Sequence, residues 1–226
     1  EIRYLRISVT DRCNLRCVYC TYWKDWQKRP PAEILRYEEL LRLAEVAAGA
    51  GIHKIRITGG EPLVRRGVVG FLQELQGLPG IDQVCLTTNG VLLRDLAPPI
   101  YSAGVRHLNV SLDTLRRERY RQITGKDNLP EVLAGLERAA SLGFHPLKIN
   151  CVMLKGINDT IPEAKALVKL LANIPAKINL IPFNPWPGSP YECSDWETIE
   201  KFAEVLNRAG YSSPIRTPRG RDILAA

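Results

Sequence analysis

Residues 5–20 read LRISVTDRCNLRCVYC, a short β-branched run that leads directly into three cysteines. The run from Leu5 to Val9 predicts a strand, because apolar and polar residues alternate along it. Cys13, Cys17 and Cys20 follow in a C-x3-C-x2-C array. In parallel α/β proteins, functional groups lie on the loops that follow the carboxyl ends of strands. This stretch therefore predicts a parallel α/β fold with a thiol-rich site in its first loop.

The rest of the chain repeats this order, a short strand followed by a longer helix. The helical segments carry apolar residues three to four positions apart, and the β-branched runs between them are short. Six such units imply a parallel sheet with right-handed crossovers, either an open doubly wound sheet or a barrel without its last strands. The strands are expected at residues 5–9, 54–58, 84–88, 107–112, 147–154 and 177–182, and the helices at 37–50, 68–76, 94–102, 129–142, 162–172 and 195–209.

The composition is that of a globular protein. Of the 226 residues, 45% are apolar and 24% are charged. No apolar run approaches the ~18 residues that cross a bilayer, and no signal peptide precedes the first strand. We therefore expect a cytoplasmic protein, without a membrane partner, whose cysteines stay reduced. The net charge of +7 suits an anionic partner such as a nucleotide or RNA, although scattered basic residues are more often a solvated surface.

Three clustered thiols lack an obvious fourth ligand. Soft thiolates bind zinc, copper(I) or iron–sulfur clusters. A structural zinc site needs four ligands, and no histidine or second C-x2-C lies near the array. Cys85 and Cys151 fall inside predicted strands, where cysteine is usually a small buried hydrophobe, and Cys193 is distant in sequence. A [4Fe-4S] cluster held by three cysteines keeps one iron open to a ligand. The array therefore favours a catalytic iron–sulfur site.

Further motifs resemble those of the radical S-adenosylmethionine (SAM) superfamily. Thr58-Gly59-Gly60-Glu61-Pro62 is similar to the family's GGEP motif, and Asn109-Val110-Ser111-Leu112-Asp113 is similar to its serine contact to SAM. The resemblance implies a partial (β/α)6 TIM-type barrel in a single domain, residues 1–226. It also implies reductive cleavage of SAM to methionine and a 5′-deoxyadenosyl radical. The implied ligands of the [4Fe-4S] cluster are Cys13, Cys17 and Cys20, and the implied contacts to SAM are Tyr19, Gly59, Gly60, Glu61, Ser111 and Asn184.

The chain up to about Asp159 also resembles the GTP 3′,8-cyclases of molybdenum-cofactor synthesis. The similar stretches include LRISVTDRCN, KIRITGGEPLVRR, LTTNG and NVSLDTL. Basic and hydroxylic groups at strand ends suit an anionic substrate. From the residues alone, a structural salt bridge across the barrel interior is the alternative role for Arg6 and Arg56. The resemblance implies that the triphosphate or ribose of a GTP-like nucleotide faces Arg6, Arg56, Thr87 and Lys148.

Beyond a compositional seam near residues 156–164, the sequence instead resembles the radical SAM adenine-C2 methyltransferases of ribosomal and transfer RNA. INLIPFNPWPGSPY and SPIRTPRGRDILAA carry this resemblance, which assigns a SAM contact to Asn184. The change suggests a chimera or a minimal core. Its abruptness favours an engineered origin, although the residues themselves do not distinguish an engineered from a natural chain. The cyclase's domain with three more cysteines is absent from these 226 residues. The methyltransferase's RNA-binding domain and methyl-carrying cysteine are absent too, so RNA is not expected as a partner.

Three functions are consistent with these patterns. The first is an enzyme core that cleaves SAM beside a GTP-cyclase-like pocket, with an electron donor such as flavodoxin or ferredoxin. The second is a cluster-binding scaffold without turnover, and the third is a remnant of an RNA adenine-C2 methyltransferase. The proline-rich segment Pro185–Tyr191, which contains Trp186, is expected either to form an apolar lid or to anchor a surface loop.

Overall fold

The computed structural model describes residues 2–20, 29–186 and 188–217, and within them six strands form one sheet. The strands follow one another in the sheet in chain order, and β1, β2 and β3 pair in parallel. A doubly wound sheet reverses its strand order, whereas a (β/α) barrel does not. The partial (β/α)6 barrel is therefore confirmed. The strands are β1 Tyr4–Ser8, β2 Lys54–Thr58, β3 Gln83–Thr88, β4 His107–Ser111, β5 Leu147–Met153 and β6 Ala176–Pro182.

Helices follow the strands, and their bounds lie within two residues of those expected from the apolar spacing. The exception is a short additional helix after β4, whose sequence is mostly charged and polar. Among the described residues, no helix is long and apolar enough to cross a membrane. The helices are α1 Tyr37–Gly49, α2 Val68–Gln76, α3 Leu93–Ser102, α4 Arg117–Thr124, α5 Leu129–Ser141, α6 Ile161–Leu170 and α7 Trp196–Arg208.

Burial differs among the strands, because β2 and β3 each bury three consecutive residues. Along β5, buried and half-buried residues alternate, as the two-residue period of a strand requires. Cys151 lies on its buried face and Cys85 is buried in β3, as expected for structural cysteines. After α7 the chain returns beside β6, where Leu180 and Ile215 form a parallel bridge. This segment covers an edge that β6 would otherwise expose.

Contacts between Cα atoms group the chain into two compact units that interleave along the sequence. The described residues of the first unit are 2–15, 29–109 and 130–147. Those of the second unit are 16–20, 110–129, 148–186 and 188–217. The compositional seam at residues 156–164 does not coincide with a boundary between the units, because it lies inside the second one.

Buried hydrogen bonds join the seam to the rest of the second unit. Asn158 is fully buried, and its Nδ2 donates to the carbonyl oxygens of Asp113 at 2.8 Å and Val152 at 2.7 Å. Its Oδ1 accepts from the N–H of Leu154 at 2.8 Å. The buried carboxylate of Glu163 accepts from the hydroxyl of Thr114 at 2.6 Å. A graft junction would be expected to leave such buried polar groups poorly paired, and these are satisfied.

Candidate active site

The predicted cluster ligands lie in the loop after β1. Cys13, Cys17 and Cys20 are all half-buried, and none of the six cysteines forms a disulfide. A tight turn joins the second and third ligands, because the N–H of Cys20 donates to the carbonyl of Cys17 at 3.0 Å. In the first unit, the N–H of Leu15 donates to Sγ of Cys13 at 3.4 Å. Donors of this kind stabilise a thiolate, which is the form that binds metal.

The thiolates of this loop are the ligand type that iron–sulfur clusters require. Over the part of the chain that the structure describes, no three histidine, cysteine, aspartate or glutamate side chains are placed to hold one metal ion. In an iron–sulfur cubane each thiolate binds its own iron, so the three sulfurs need not converge on one point. Half-buried, reduced thiols with N–H donors fit that group. Cys13, Cys17 and Cys20 are the residues that would hold it.

The two glycines after β2 lie against the backbone of the first loop. The N–H of Gly60 donates to the carbonyl of Thr10 at 2.7 Å, and the N–H of Glu61 donates to that of Arg12 at 2.8 Å. A Cβ added at Gly59 would lie 2.6 Å from the oxygen of Thr10, and one at Gly60 only 2.5 Å from that of Arg12. Both positions therefore require glycine, because backbone approaches backbone there.

Glu61 turns its carboxylate into the protein. The side chain is buried, and its two oxygens accept from the N–H of Leu63 at 3.0 Å, the hydroxyl of Thr88 at 2.7 Å and the N–H of Asn89 at 2.6 Å. Burial raises the pKa of Glu61 to about 7, and these three donors oppose the rise. The carboxylate thus stabilises the start of the loop after β3 through the hydrogen bonds from Thr88 and Asn89.

Asn89 connects Glu61 to the first cysteine. Its Oδ1 accepts from the N–H of Val91 at 3.0 Å, which fixes the orientation of the amide. The Nδ2 group must then point the other way, where it donates to Oδ1 of Asn14 at 2.7 Å and lies 3.8 Å from Sγ of Cys13. An N–H donor is therefore directed at a predicted cluster ligand.

In the second unit, Tyr19 is held from three sides. Its hydroxyl donates to Oδ2 of Asp113 at 2.6 Å, and its carbonyl accepts from the indole N–H of Trp186 at 3.1 Å. The ring of Phe183 meets the tyrosine ring edge-on at 6.4 Å. Trp186 therefore packs on the cluster loop, and Pro187 of the expected lid lies outside the described residues. Burial raises the pKa of Asp113 to about 6, against the hydrogen bonds from Tyr19 and the N–H of Val152.

Two of the four predicted substrate residues are in contact. Nη1 of Arg56 donates to the hydroxyl of Thr87 at 3.2 Å, and Nε donates to the hydroxyl of Tyr4 at 2.6 Å. Arg56 is 8% exposed, and no carboxylate among the described residues forms an ion pair with it. The salt bridge considered as the alternative is therefore not formed within the described residues. Arg6 lies opposite Arg56 in the β1–β2 register, so both belong to one face of the sheet.

The remaining predicted residues lie in the second unit. Ser111 ends β4, Lys148 is half-buried on β5, and Asn184 follows β6. A separate cavity of about 350 Å3 in the first unit is lined by Gly59 and Gly60 but by none of the predicted substrate residues. Asp113 and Asn89 were missed as site residues, although both fall in motifs noted in the sequence. The contacts that define these roles, Asp113 with Tyr19 and Asn89 with Cys13, join residues distant along the chain, so no local pattern identifies them.

Comparison with known proteins identifies the family of this chain. The family model of the radical SAM superfamily matches residues 7–168. A GTP 3′,8-cyclase of Pelotomaculum thermopropionicum is 44% identical, over 97% of this chain and 68% of that enzyme. The enzyme of the same name from Geobacter sulfurreducens is 47% identical, over 94% of this chain and 64% of its own length. A GTP 3′,8-cyclase of Pseudomonas putida is 50% identical, over 70% of this chain and 47% of its own length. The chain thus spans about half to two thirds of these relatives.

Solved structures share the fold. A radical SAM methyltransferase from Sphaerobacter thermophilus has a TM-score of 0.80 at 22% identity and covers 96% of this chain and 67% of its own. Streptococcus suis SuiB bound to SAM has a TM-score of 0.74 at 16% identity, over 96% of this chain and half of its own. At these identities the likeness concerns the fold alone.

The comparisons correct the interpretation of the last third as a methyltransferase segment. The Pelotomaculum cyclase aligns over 97% of the chain, and therefore across residues 156–164, without a second parent. The buried pairing of Asn158 agrees with a continuous fold. Neither a chimera nor an adenine-C2 methyltransferase segment is supported. The chain belongs to the radical SAM superfamily, and its cofactors are those of the superfamily, a [4Fe-4S] cluster and SAM.

Proposed function

We propose that this chain is the radical-generating core of an enzyme that cyclises a GTP-like nucleotide. When bound, the cluster would supply the electron for cleavage of the S–C5′ bond of SAM, and the resulting 5′-deoxyadenosyl radical would take a hydrogen atom from the substrate. Cys13, Cys17 and Cys20 hold the cluster. The loop at Gly59 and Gly60 lies against the backbone that leads to the first ligand, and its expected role is to hold the amino-acid end of SAM.

The remaining SAM contacts are proposed on three separate segments. Tyr19, between two cluster ligands, borders the adenine, and its bond to Asp113 fixes its direction. Ser111 and Asn184 lie at the carboxyl ends of β4 and β6, where ligand-binding groups of parallel α/β proteins are found. Glu61 is proposed to hold the loop after β2 from within the protein, because its hydrogen-bond partners among the described residues are all donors of the protein itself.

Arg56 is the observation that supports the nucleotide substrate most strongly. A buried guanidinium costs several kcal/mol unless it is paired, and within the described residues Arg56 contacts only neutral hydroxyls. A phosphate or ribose oxygen would complete its donor set, since five N–H groups in a planar fork match such acceptors. Arg6 shares its face of the sheet, and Lys148 adds a third cation in the proposal.

The test is anaerobic reconstitution of the cluster, followed by measurement of 5′-deoxyadenosine with SAM and a chemical reductant, with and without GTP. A cyclase that joins C3′ to C8 must remove a hydrogen atom from the nucleotide. GTP deuterated at C3′ should therefore transfer deuterium into 5′-deoxyadenosine, whereas deuterated ATP serves as the control for base recognition.

Two results would contradict the proposal at different levels. A chain with four iron and four sulfide per molecule that forms no 5′-deoxyadenosine would instead be a scaffold without turnover. Cleavage of SAM that neither responds to GTP nor acquires its deuterium would retain the radical chemistry and reject the nucleotide substrate.

A further inference from the structure

Helix α4 carries an excess of basic side chains next to the cluster loop. Residues 116–127 contain five basic residues and only two acidic ones, Glu118 and Asp127. Of the latter, Asp127 pairs with Arg117 at 2.9 Å, and a further arginine, Arg116, pairs with the buried Glu163 at 3.4 Å. Arg121 and Lys126 are exposed, as is Arg16 in the loop itself. We call the following five residues the basic rim: Arg16, Arg117, Arg119, Arg121 and Lys126.

The rim is fixed to the loop that carries two cluster ligands. The N–H of Arg16 donates to the carbonyl of Thr124 and that of Val18 to the carbonyl of Ile123, both at 2.8 Å. These carbonyls belong to the last turn of α4, which has no intrahelical donors for them. Ile123 and Thr124 are buried, so the helix end is anchored.

The turn after α4 is close to the same loop. Gly125 has a φ of +69°, and a Cβ added there would lie 3.0 Å from Cβ of Arg16. Glycine is thus needed both for the left-handed conformation and for the close approach. Arg16–Cys20 and α4 also fall in the same compact unit. Cys17 and Cys20 therefore sit on a loop that is hydrogen-bonded to the helix bearing the rim.

We propose that the basic rim is the docking surface for an acidic one-electron carrier protein of the flavin or iron–sulfur class. The inference rests on the proposed function, in which each SAM cleaved consumes one electron. That electron leaves the reduced carrier, whose own centre is oxidised by one electron, and enters the cluster. Because electron transfer between proteins slows steeply with distance, the carrier must dock close to the cluster ligands. The rim offers opposite charge at that place.

The experiment compares two routes of reduction in the reconstituted holoprotein. Reduced flavodoxin, an acidic carrier, is mixed with the protein in a stopped-flow instrument, and bleaching of the cluster's visible absorbance is followed with and without added salt. Dithionite, a small reductant that needs no docking surface, is used in parallel. The rim variant is the double charge reversal Arg121→Glu with Lys126→Glu. The matched control reverses two exposed lysines of α6 at residues 165 and 169, Lys165→Glu with Lys169→Glu.

The rim variant should slow cluster reduction by flavodoxin about tenfold or more at low salt, and its rate should no longer fall as salt is added. Reduction by dithionite should be the same in the wild type, the rim variant and the control. Equal flavodoxin rates in the wild type and the rim variant would overturn the docking site, as would an equal loss in the α6 control.

Two further outcomes distinguish this proposal from binding of another anionic ligand and from failure of the proposed function. If the rim variant keeps the flavodoxin rate but loses affinity for GTP or for a model RNA, the rim serves an anionic ligand of another class, and the proposal is wrong. If dithionite reduces the cluster but no 5′-deoxyadenosine forms, the proposed function fails. The stopped-flow comparison still decides the docking surface in that case, because it reads reduction of the cluster directly.

Discussion

The hydroxyl of Tyr19 donates a 2.6 Å hydrogen bond to Oδ2 of Asp113, 94 residues further along the chain. The other oxygen of this carboxylate accepts from the N–H of Val152 at 2.8 Å, at the end of β5. The residue between two cluster ligands is thereby tied to two neighbouring strands of the sheet. Desolvation and the adjacent carboxylate raise the pKa of the Tyr19 phenol well above its usual value, so it remains a donor.

Tyr19→Phe should therefore loosen the loop that carries Cys17 and Cys20 without loss of the cluster. The change leaves a buried carboxylate oxygen without its donor, which typically costs about 1–3 kcal/mol. We expect normal iron content but weaker SAM binding, measured by anaerobic calorimetric titration. Tyr101→Phe is the control, since no described residue hydrogen-bonds to that hydroxyl. Unchanged SAM affinity in Tyr19→Phe would show that the bond to Asp113 does not position the loop.

Glu61 should make stability depend on pH. Its pKa is raised from 4.5 to about 7 in the folded state, and that of Asp113 from 3.8 to about 6. At pH values between the unfolded and the folded pKa of each group, the folded protein binds more protons than the unfolded chain. The free energy of unfolding therefore falls as pH rises through this range. The change amounts to a few kcal/mol at most, since each pKa unit corresponds to about 1.4 kcal/mol.

Denaturant unfolding at about pH 5 and at about pH 7.5 measures this dependence. Glu61→Gln should flatten it while lowering stability at both pH values, because the amide directs N–H toward the N–H of Asn89. Glu74→Gln, at an exposed position of α2, should leave the slope as it is. A wild-type protein that is more stable at the higher pH would contradict the assignment.

Asn89→Asp should lower the reduction potential of the cluster. The replacement has the same shape, but an oxygen now faces Sγ of Cys13 where an N–H did, and hydrogen bonds to cluster sulfurs raise the potential. A redox titration followed by electron paramagnetic resonance gives the value. Asn207→Asp on α7 adds the same charge and keeps the acceptor used by the N–H of Ser213. A potential equal in both variants would remove Asn89 from the site.

Replacing the cysteines one at a time should divide them into two groups. Alanine at Cys13, Cys17 or Cys20 should abolish the visible absorbance of the cluster, because two thiolates hold it poorly. Alanine at Cys85, Cys151 or Cys193 should keep iron and sulfide near four per chain. The first two of these are core residues, whose loss costs stability rather than metal. Loss of the cluster in the Cys193 variant would mean that the fourth iron is already occupied.

Arg56→Lys should separate substrate binding from SAM binding. Lysine keeps the charge but loses the planar fork that reaches both hydroxyls, so GTP affinity should drop about tenfold or more. SAM cleavage without GTP should continue at the wild-type rate. Arg42→Lys, at an exposed position of α1, is the matched control. Equal GTP affinity in the wild type and Arg56→Lys would assign the arginine a structural role.

The sequence by itself determined the order of strands and helices, the fold class and the cysteine array. These features depend on local spacing, the two-residue period of strands, the helical period and the C-x3-C-x2-C pattern, so short windows suffice. No bounds were predicted for the short basic helix α4, because half of its eight residues are charged. Likewise, the proline- and aromatic-rich segments beyond residues 156–164 suggested a junction there. A cyclase that aligns across these residues contradicts it, and the buried hydrogen bonds of Asn158 agree with a continuous fold.

Only the tertiary structure decided which polar groups meet. Asp113 reaches Tyr19 across 94 residues, Asn89 reaches Cys13 across 76, and Asn158 reaches Asp113 across 45. Such bonds form because a buried donor or acceptor must find a partner wherever the fold provides one, irrespective of separation along the chain. The same holds for Arg56, whose contacts with two hydroxyls in place of a carboxylate follow from the register of β1, β2 and β3.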